Sequence, residues 1–124
     1  MHTAPRVLVA EDSPTQRALV VDLLRDEGLD VHEADDGRLA LNLCRIIRPD
    51  LMILDLDLPS LSGNEVLAKI RADHKSHAMP VLVLTADDRD QAIGKALDAG
   101  ATDFLSKPAT RVELLTRVRR ALAA

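Results

Sequence analysis

Two kinds of apolar pattern alternate along this chain. Short continuous runs, RVLVA (6–10), LDVHEA (29–34), LMILD (51–55), PVLVLTA (80–86) and TDFLS (102–106), predict five strands. Between and after them lie stretches with helical spacing of their apolar positions. These are SPTQRALVVDLLRDEG (13–28), DGRLALNLCRIIRP (36–49), NEVLAKIRAD (64–73), DRDQAIGKALDAG (88–100) and TRVELLTRVRRAL (110–122). The first has complete helix punctuation: Ser13 as N-cap, Pro14 at the first helical position and Gly28 past the end. Pro49 stops the second. The second strand is more polar than the others, as an edge strand would be, whereas the third reads as buried on both faces, with Pro59 marking its end.

Strand–helix alternation of this kind predicts an α/β fold, a parallel sheet with helices on both faces. In such sheets ligands bind beyond the carboxyl ends of the strands. The residues at those ends are informative. Glu11 and Asp12 follow the first strand, Asp55 ends the third, Thr85 ends the fourth, and Lys107-Pro108 follows the fifth. If strands one and three are neighbours, three carboxylates share one crevice, and their mutual repulsion calls for a cation. Hard oxygen donors suit Mg2+ better than Zn2+. A hydroxyl and an ammonium on the same rim suit the oxygens of a phosphoryl group.

Composition narrows the picture further. The chain has 124 residues, 47% hydrophobic and 29% charged, the profile of one soluble globular domain. Its net charge of −4 argues against direct nucleic-acid binding. One Phe and no Tyr or Trp disfavour base stacking or a flat aromatic cofactor. Cys44 stands alone, so no intramolecular disulfide forms and a reducing cytoplasm fits. The opening residues contain no apolar segment long enough for a signal peptide or a membrane span.

The whole length, 1–124, resembles the receiver domain of two-component response regulators. VLVAEDSPTQR is similar to the family's first-strand acidic pair, and PDLMILDLDLPSLSG to its phosphoacceptor segment, with Pro59 and Gly63 at matching intervals. PVLVLTA carries the hydroxyl residue, and AGATDFLSKP the switch aromatic and the lysine. The resemblance implies a flavodoxin-like, doubly wound (βα)5 sandwich with strand order 2-1-3-4-5, an order the receiver family itself illustrates. It also implies residue roles. Asp55 would accept a phosphoryl group, and Asp12 and Glu11 would hold Mg2+ together with Asp55 and the backbone carbonyl of Asp57. Thr85 and Lys107 would bind the phosphoryl oxygens, and Thr85 and Phe104 would switch together. The donor would be a sensor histidine kinase or phosphotransfer protein. The signal would leave through the fourth helix, fifth strand and fifth helix, around 88–98, 102–106 and 110–122, a face that could also bind a second copy. On this reading the protein is a cytoplasmic signalling switch, with only self-catalysed phosphorylation and dephosphorylation, no nucleic-acid contact of its own and no membrane.

Plainer readings stand beside these. An acidic turn suits any helix start, Thr85 suits any strand, and Phe104 could be core. Pro108 permits a cis peptide after Lys107. His74 and His77 suggest no metal site, and Cys44 reads as a buried hydrophobe. Arg117, Arg119 and Arg120 read as complements to a helix C-terminus. The competing enzyme class is the haloacid-dehalogenase phosphatase, whose loop DLDLP resembles, with Asp55 as nucleophile and Asp57 as general acid/base. A mid-chain position, no room for a cap, and Pro59 in place of Thr or Val count against it.

Overall fold

The computed structural model describes residues 3–87 and 89–123. Its elements alternate as β1 (Arg6–Ala10), α1 (Pro14–Asp26), β2 (Asp30–Ala34), α2 (Gly37–Ile47), β3 (Leu51–Asp55), α3 (Gly63–Ala72), β4 (Val81–Thr85), α4 (Asp90–Asp98), β5 (Asp103–Ser106) and α5 (Arg111–Ala123). The sheet is parallel throughout, in the order β2-β1-β3-β4-β5. The five-unit α/β sandwich expected from the apolar pattern is the fold observed.

Burial explains the strand sequences. Every residue of β3 and β4 is buried, so both faces of these strands must be apolar until the chain reaches Asp55 and Thr85. Each buried Leu, Ile or Val side chain is worth ~1.5–3 kcal/mol, enough to specify the register. On one face Val7, Val9, Leu51, Ile53, Leu82, Leu84 and Leu105 pack against Val21 and Leu24 of α1 and Leu114, Leu115 and Val118 of α5. On the other, Leu8, Ala10, Met52, Leu54, Val81 and Val83 pack against α2 and α3, with Phe104 partly buried on the same cluster. β2 lies at the edge and alternates, with Asp30 and Glu33 exposed.

The element ends follow local chemistry. Ser13 caps α1 as expected, accepting from the Gln16 N–H. α2 begins after Asp36, whose carboxylate accepts from Leu39 N–H, and ends where Arg48 enters the left-handed region at φ 47°. Pro49 lies one residue beyond that turn. α3 starts at Gly63, one residue before the predicted span, because Ser62 and Glu65 form a reciprocal capping box. The fourth helix is shorter than the 88–100 predicted, and Asp88 lies outside the described residues. Among the described residues no helix is long and apolar enough to cross a membrane.

The arginines of α5 correct one expectation. Of the three only Arg120 lies in the last turn. Arg117 instead reaches Asp103 Oδ1 at 2.6 Å and the Phe104 carbonyl at 3.3 Å, and Arg119 reaches Glu27 Oε2 at 3.2 Å. Both tie the helix sideways to neighbouring elements rather than complementing its end. Cys44 is buried as expected, and burial pushes its thiol pKa up, which keeps it protonated and unreactive.

Candidate functional site

Because β1 and β3 are hydrogen-bonded neighbours, Glu11 and Asp12 emerge beside Asp55 at the carboxyl edge of the sheet. One carboxylate oxygen from each of Glu11, Asp12 and Asp55 lies within 4.8 Å of the others. Glu11 and Asp55 are only 5% and 6% exposed, while Asp12 is open to solvent. Two buried carboxylates at one point need a partner, and Lys107 supplies it. Its ammonium bonds Glu11 Oε1 directly, Asp55 Oδ2 at 3.0 Å and the Gln16 side-chain oxygen at 2.9 Å. Burial pulls the Lys107 pKa down, but the hydrogen bonds and charges of Glu11 and Asp55 outweigh it, so the pKa lies above the ordinary lysine value. The ammonium is therefore charged at neutral pH.

Strand alternation decides who approaches from which side. Lys107 continues the parity of Leu105, which faces α1 and α5, and its ammonium accordingly meets the α1 residue Gln16. Thr85 has the parity of Val81 and Val83 and faces the opposite layer. It is 2% exposed, and its hydroxyl accepts from the Asp87 N–H at 3.0 Å. Phe104 pairs with Val83, so it lies on the same face as Thr85, one side-chain position back along the neighbouring strand. The Lys107–Pro108 peptide is cis, and the Lys107 N–H donates to the Thr85 carbonyl at 2.8 Å.

The loop after Asp55 is tightly fixed. Asp57 donates its backbone N–H to Asp55 Oδ1 at 3.1 Å, and its own side chain is exposed. The two aspartates of this segment thus occupy different environments, one buried on an ammonium and one in solvent. Gly63 donates to the Leu56 carbonyl at 2.9 Å, and a Cβ at Gly63 would lie 2.5 Å from Leu56 Cα and 2.7 Å from the Asp55 carbonyl oxygen. Only glycine allows α3 to begin so close to the Asp55 backbone.

The donor set fits a hard divalent cation. It contains three carboxylates and neither imidazole nor thiolate. Three negative charges against the one positive charge of Lys107 leave two to neutralise, the charge of one Mg2+. Asp12, being exposed, leaves a path for hydrated ions.

Three contributors to this site are not legible in the sequence. Gln16 lies on α1, far along the chain from Lys107, and no motif marks it. Arg17 donates to the Glu11 carbonyl at 2.8 Å and to Glu33 Oε1 at 3.1 Å, bracing the acidic turn against β2. Arg89 grips Asp87 at 2.8 and 2.6 Å beside the Thr85 hydroxyl, holding the Asp87 carboxyl at a pKa of about 2. The two-residue spacing of Asp87 and Arg89 is the only signal, and turns with such spacing are common.

Comparison with known proteins agrees with this geometry. A family model described as the response regulator receiver domain matches residues 7–119. The DNA-binding response regulator MtrA of Mycolicibacterium smegmatis is 38% identical over 94% of the chain and 50% of its own length. The chain thus spans about half the length of the curated relatives it matches. Among solved structures, Vibrio cholerae chemotaxis protein CheY4 superposes with a TM-score of 0.91 at 32% identity, covering 97% of this chain and 100% of that one. The receiver domain of sensor histidine kinase PA1611 from Pseudomonas aeruginosa superposes with a TM-score of 0.92 at 30% identity, covering 98% and 100%. That structure has a magnesium ion coordinated in its active-site cleft. The haloacid-dehalogenase alternative finds no support in these matches.

Proposed function

The chain belongs to the response regulator receiver domain family, and from that premise we propose that Asp55 is the phosphoacceptor of a Mg2+-dependent switch. The observation that carries this reading is the Lys107 ammonium bridging Glu11 and Asp55, with the Asp12 carboxylate within 4.8 Å. Transfer forms a bond between an Asp55 carboxylate oxygen and phosphorus as the donor's bond to phosphorus breaks. Lys107 stands ready to pair with the anionic phosphoryl oxygens, and the Thr85 hydroxyl to donate to them. Glu11, Asp12, Asp55 and the Asp57 backbone carbonyl would hold the magnesium ion. When bound, the ion supplies positive charge beside the phosphoryl oxygens.

The donor is a sensor histidine kinase or a phosphotransfer protein, and the output is a signal rather than a product. Residues 1–124 act as one receiver unit in the cytoplasm, making no nucleic-acid or membrane contact of their own. Turnover beyond phosphotransfer is limited to self-catalysed formation and loss of the acylphosphate. The modified domain presents α4, β5 and α5 to its target or to a second copy.

Incubation with acetyl phosphate and Mg2+ tests the assignment. Mass spectrometry should find one acid-stable, base-labile phosphoryl group on Asp55. Asp55→Asn and added EDTA should each abolish it. Labelling that persists in Asp55→Asn removes the assignment, and loss of turnover in Asp57→Asn would revive the phosphatase reading.

A further inference from the structure

An ammonium has three N–H bonds to give, and on Lys107 all three are taken: by Glu11 Oε1, by Asp55 Oδ2 at 3.0 Å and by Gln16 Oε1 at 2.9 Å. The remaining carboxylate oxygens of the first two are also engaged. Ser13 N–H donates to Glu11 Oε2 at 3.2 Å, and Asp57 N–H to Asp55 Oδ1 at 3.1 Å. A divalent cation held by Glu11, Asp12 and Asp55 draws on the same carboxylates that hold the lysine and repels it by like charge. Gln16 is different. Its amide is neutral, lies on the first turn of α1 and is outside the carboxylate cluster.

We propose that Gln16 is a positioning residue that retains the Lys107 ammonium at the rim of the site when a divalent cation draws on Glu11 and Asp55. The lysine then stays within reach of an incoming phosphoryl group instead of swinging into solvent. With the cation absent, two carboxylates hold the lysine and the amide adds little. With the cation present, the carboxylates hold the ammonium more weakly and the neutral amide carries more of its anchoring. Removing it therefore costs the loaded state more than the empty one. The inference rests on reading the three carboxylates as a Mg2+ site.

The probe is Mg2+ alone, titrated into the protein without phosphodonor and followed by backbone amide NMR shifts. Gln16→Met keeps the length of the side chain but removes its acceptor; Gln16→Glu keeps an acceptor at the same reach. Gln16 is exposed, and the helix cap uses its backbone N–H rather than its side chain, so both variants should fold. Gln16→Met should weaken Mg2+ binding about three- to tenfold, the worth of one hydrogen bond. Gln16→Glu should bind at least as tightly as the unaltered chain. In a Lys107→Met background Gln16→Met should leave Mg2+ affinity unchanged, because no ammonium remains to be positioned. An equal effect of Gln16→Met in both backgrounds, or none in the presence of Lys107, overturns the proposal while leaving the metal site standing. Failure of the unaltered chain to bind Mg2+ overturns both.

Discussion

Asp12 is the exposed member of the acidic trio, and its neighbours Glu11 and Asp55 are already neutralised in part by Lys107. Without a cation its charge only adds repulsion; on the proposed reading it would be a direct ligand of the bound ion. Asp12→Ala should therefore weaken Mg2+ binding strongly while leaving the metal-free fold as stable or more so. The gain should be on the order of 1 kcal/mol for a partly solvated pair of like charges. Thermal melting in EDTA and an NMR metal titration read the two effects separately, and unchanged affinity would refute the ligand role. Asp87 shows the opposite electrostatics: hydrogen bonds from the Arg89 side chain and backbone hold its pKa at about 2. A carboxyl depressed in the folded state contributes stability above its unfolded pKa and loses it as pH falls through the folded value. The pair should therefore be indifferent to pH near neutrality and fail only between roughly pH 4 and 2. In Arg89→Ala the Asp87 carboxyl should titrate nearer the ordinary value of 3.8, read by its carbon-13 shift.

At the scale of elements, the site depends on how closely α3 begins behind Asp55. The capping box of Ser62 and Glu65 fixes where the helix starts, and Gly63 lets that start touch the Asp55 and Leu56 backbone. Gly63→Ala gains helix propensity but must move a backbone that cannot yield cheaply. Overpacking of this kind costs typically 1–3 kcal/mol. The variant should melt earlier, and its largest amide shifts should fall at 55–57, with slower labelling of Asp55 by acetyl phosphate. An unchanged melting temperature would show that the loop gives way freely. The far end of α3 is tied by Arg71, which donates to the carbonyls of Gly100, His77 and Met79 at 2.9, 3.1 and 2.6 Å. One side chain thereby couples α3 to the entry of β4 and the turn before β5.

At the scale of the molecule, Thr85 and Phe104 face the same layer from adjacent strands. A phosphoryl group on Asp55 should draw the Thr85 hydroxyl, a charge-assisted bond worth about 1.5–3 kcal/mol. The space vacated behind Thr85 favours an inward Phe104 ring by a further ~1–2 kcal/mol, because the ring is already partly covered. Together these can shift an existing two-state equilibrium. Beryllofluoride, standing in for the phosphoryl group, should move the Phe104 ring resonances and the amides of α4, β5 and α5 together. It should also promote any self-association through that face, read by sedimentation. Shifts confined to the Asp55 pocket would leave Phe104 as core and the output route elsewhere.

The order of elements was legible because strands buried on both faces must be continuously apolar, and helices over them must repeat at helical spacing. For the same reason Asp55 and Thr85 stood out as polar residues at the ends of LMILD and VLVLT. The sequence-based expectation of a shared crevice was conditional on β1 and β3 being neighbours, since alternation along the chain does not by itself specify strand order. Pairing in the sheet decides that, and with it the meeting of Glu11, Asp12 and Asp55. Helix ends were less legible, because a capping box or a left-handed residue shifts a boundary by one or two positions without changing the apolar pattern. The partners of long polar side chains were not legible at all. Gln16 meets Lys107, Arg117 meets Asp103 and Arg119 meets Glu27 across separations that leave no periodic trace. Hydrogen bonds between polar side chains outside the apolar core place little constraint on which residues flank them, so only the folded chain, by bringing those atoms within reach, decides which pairs exist.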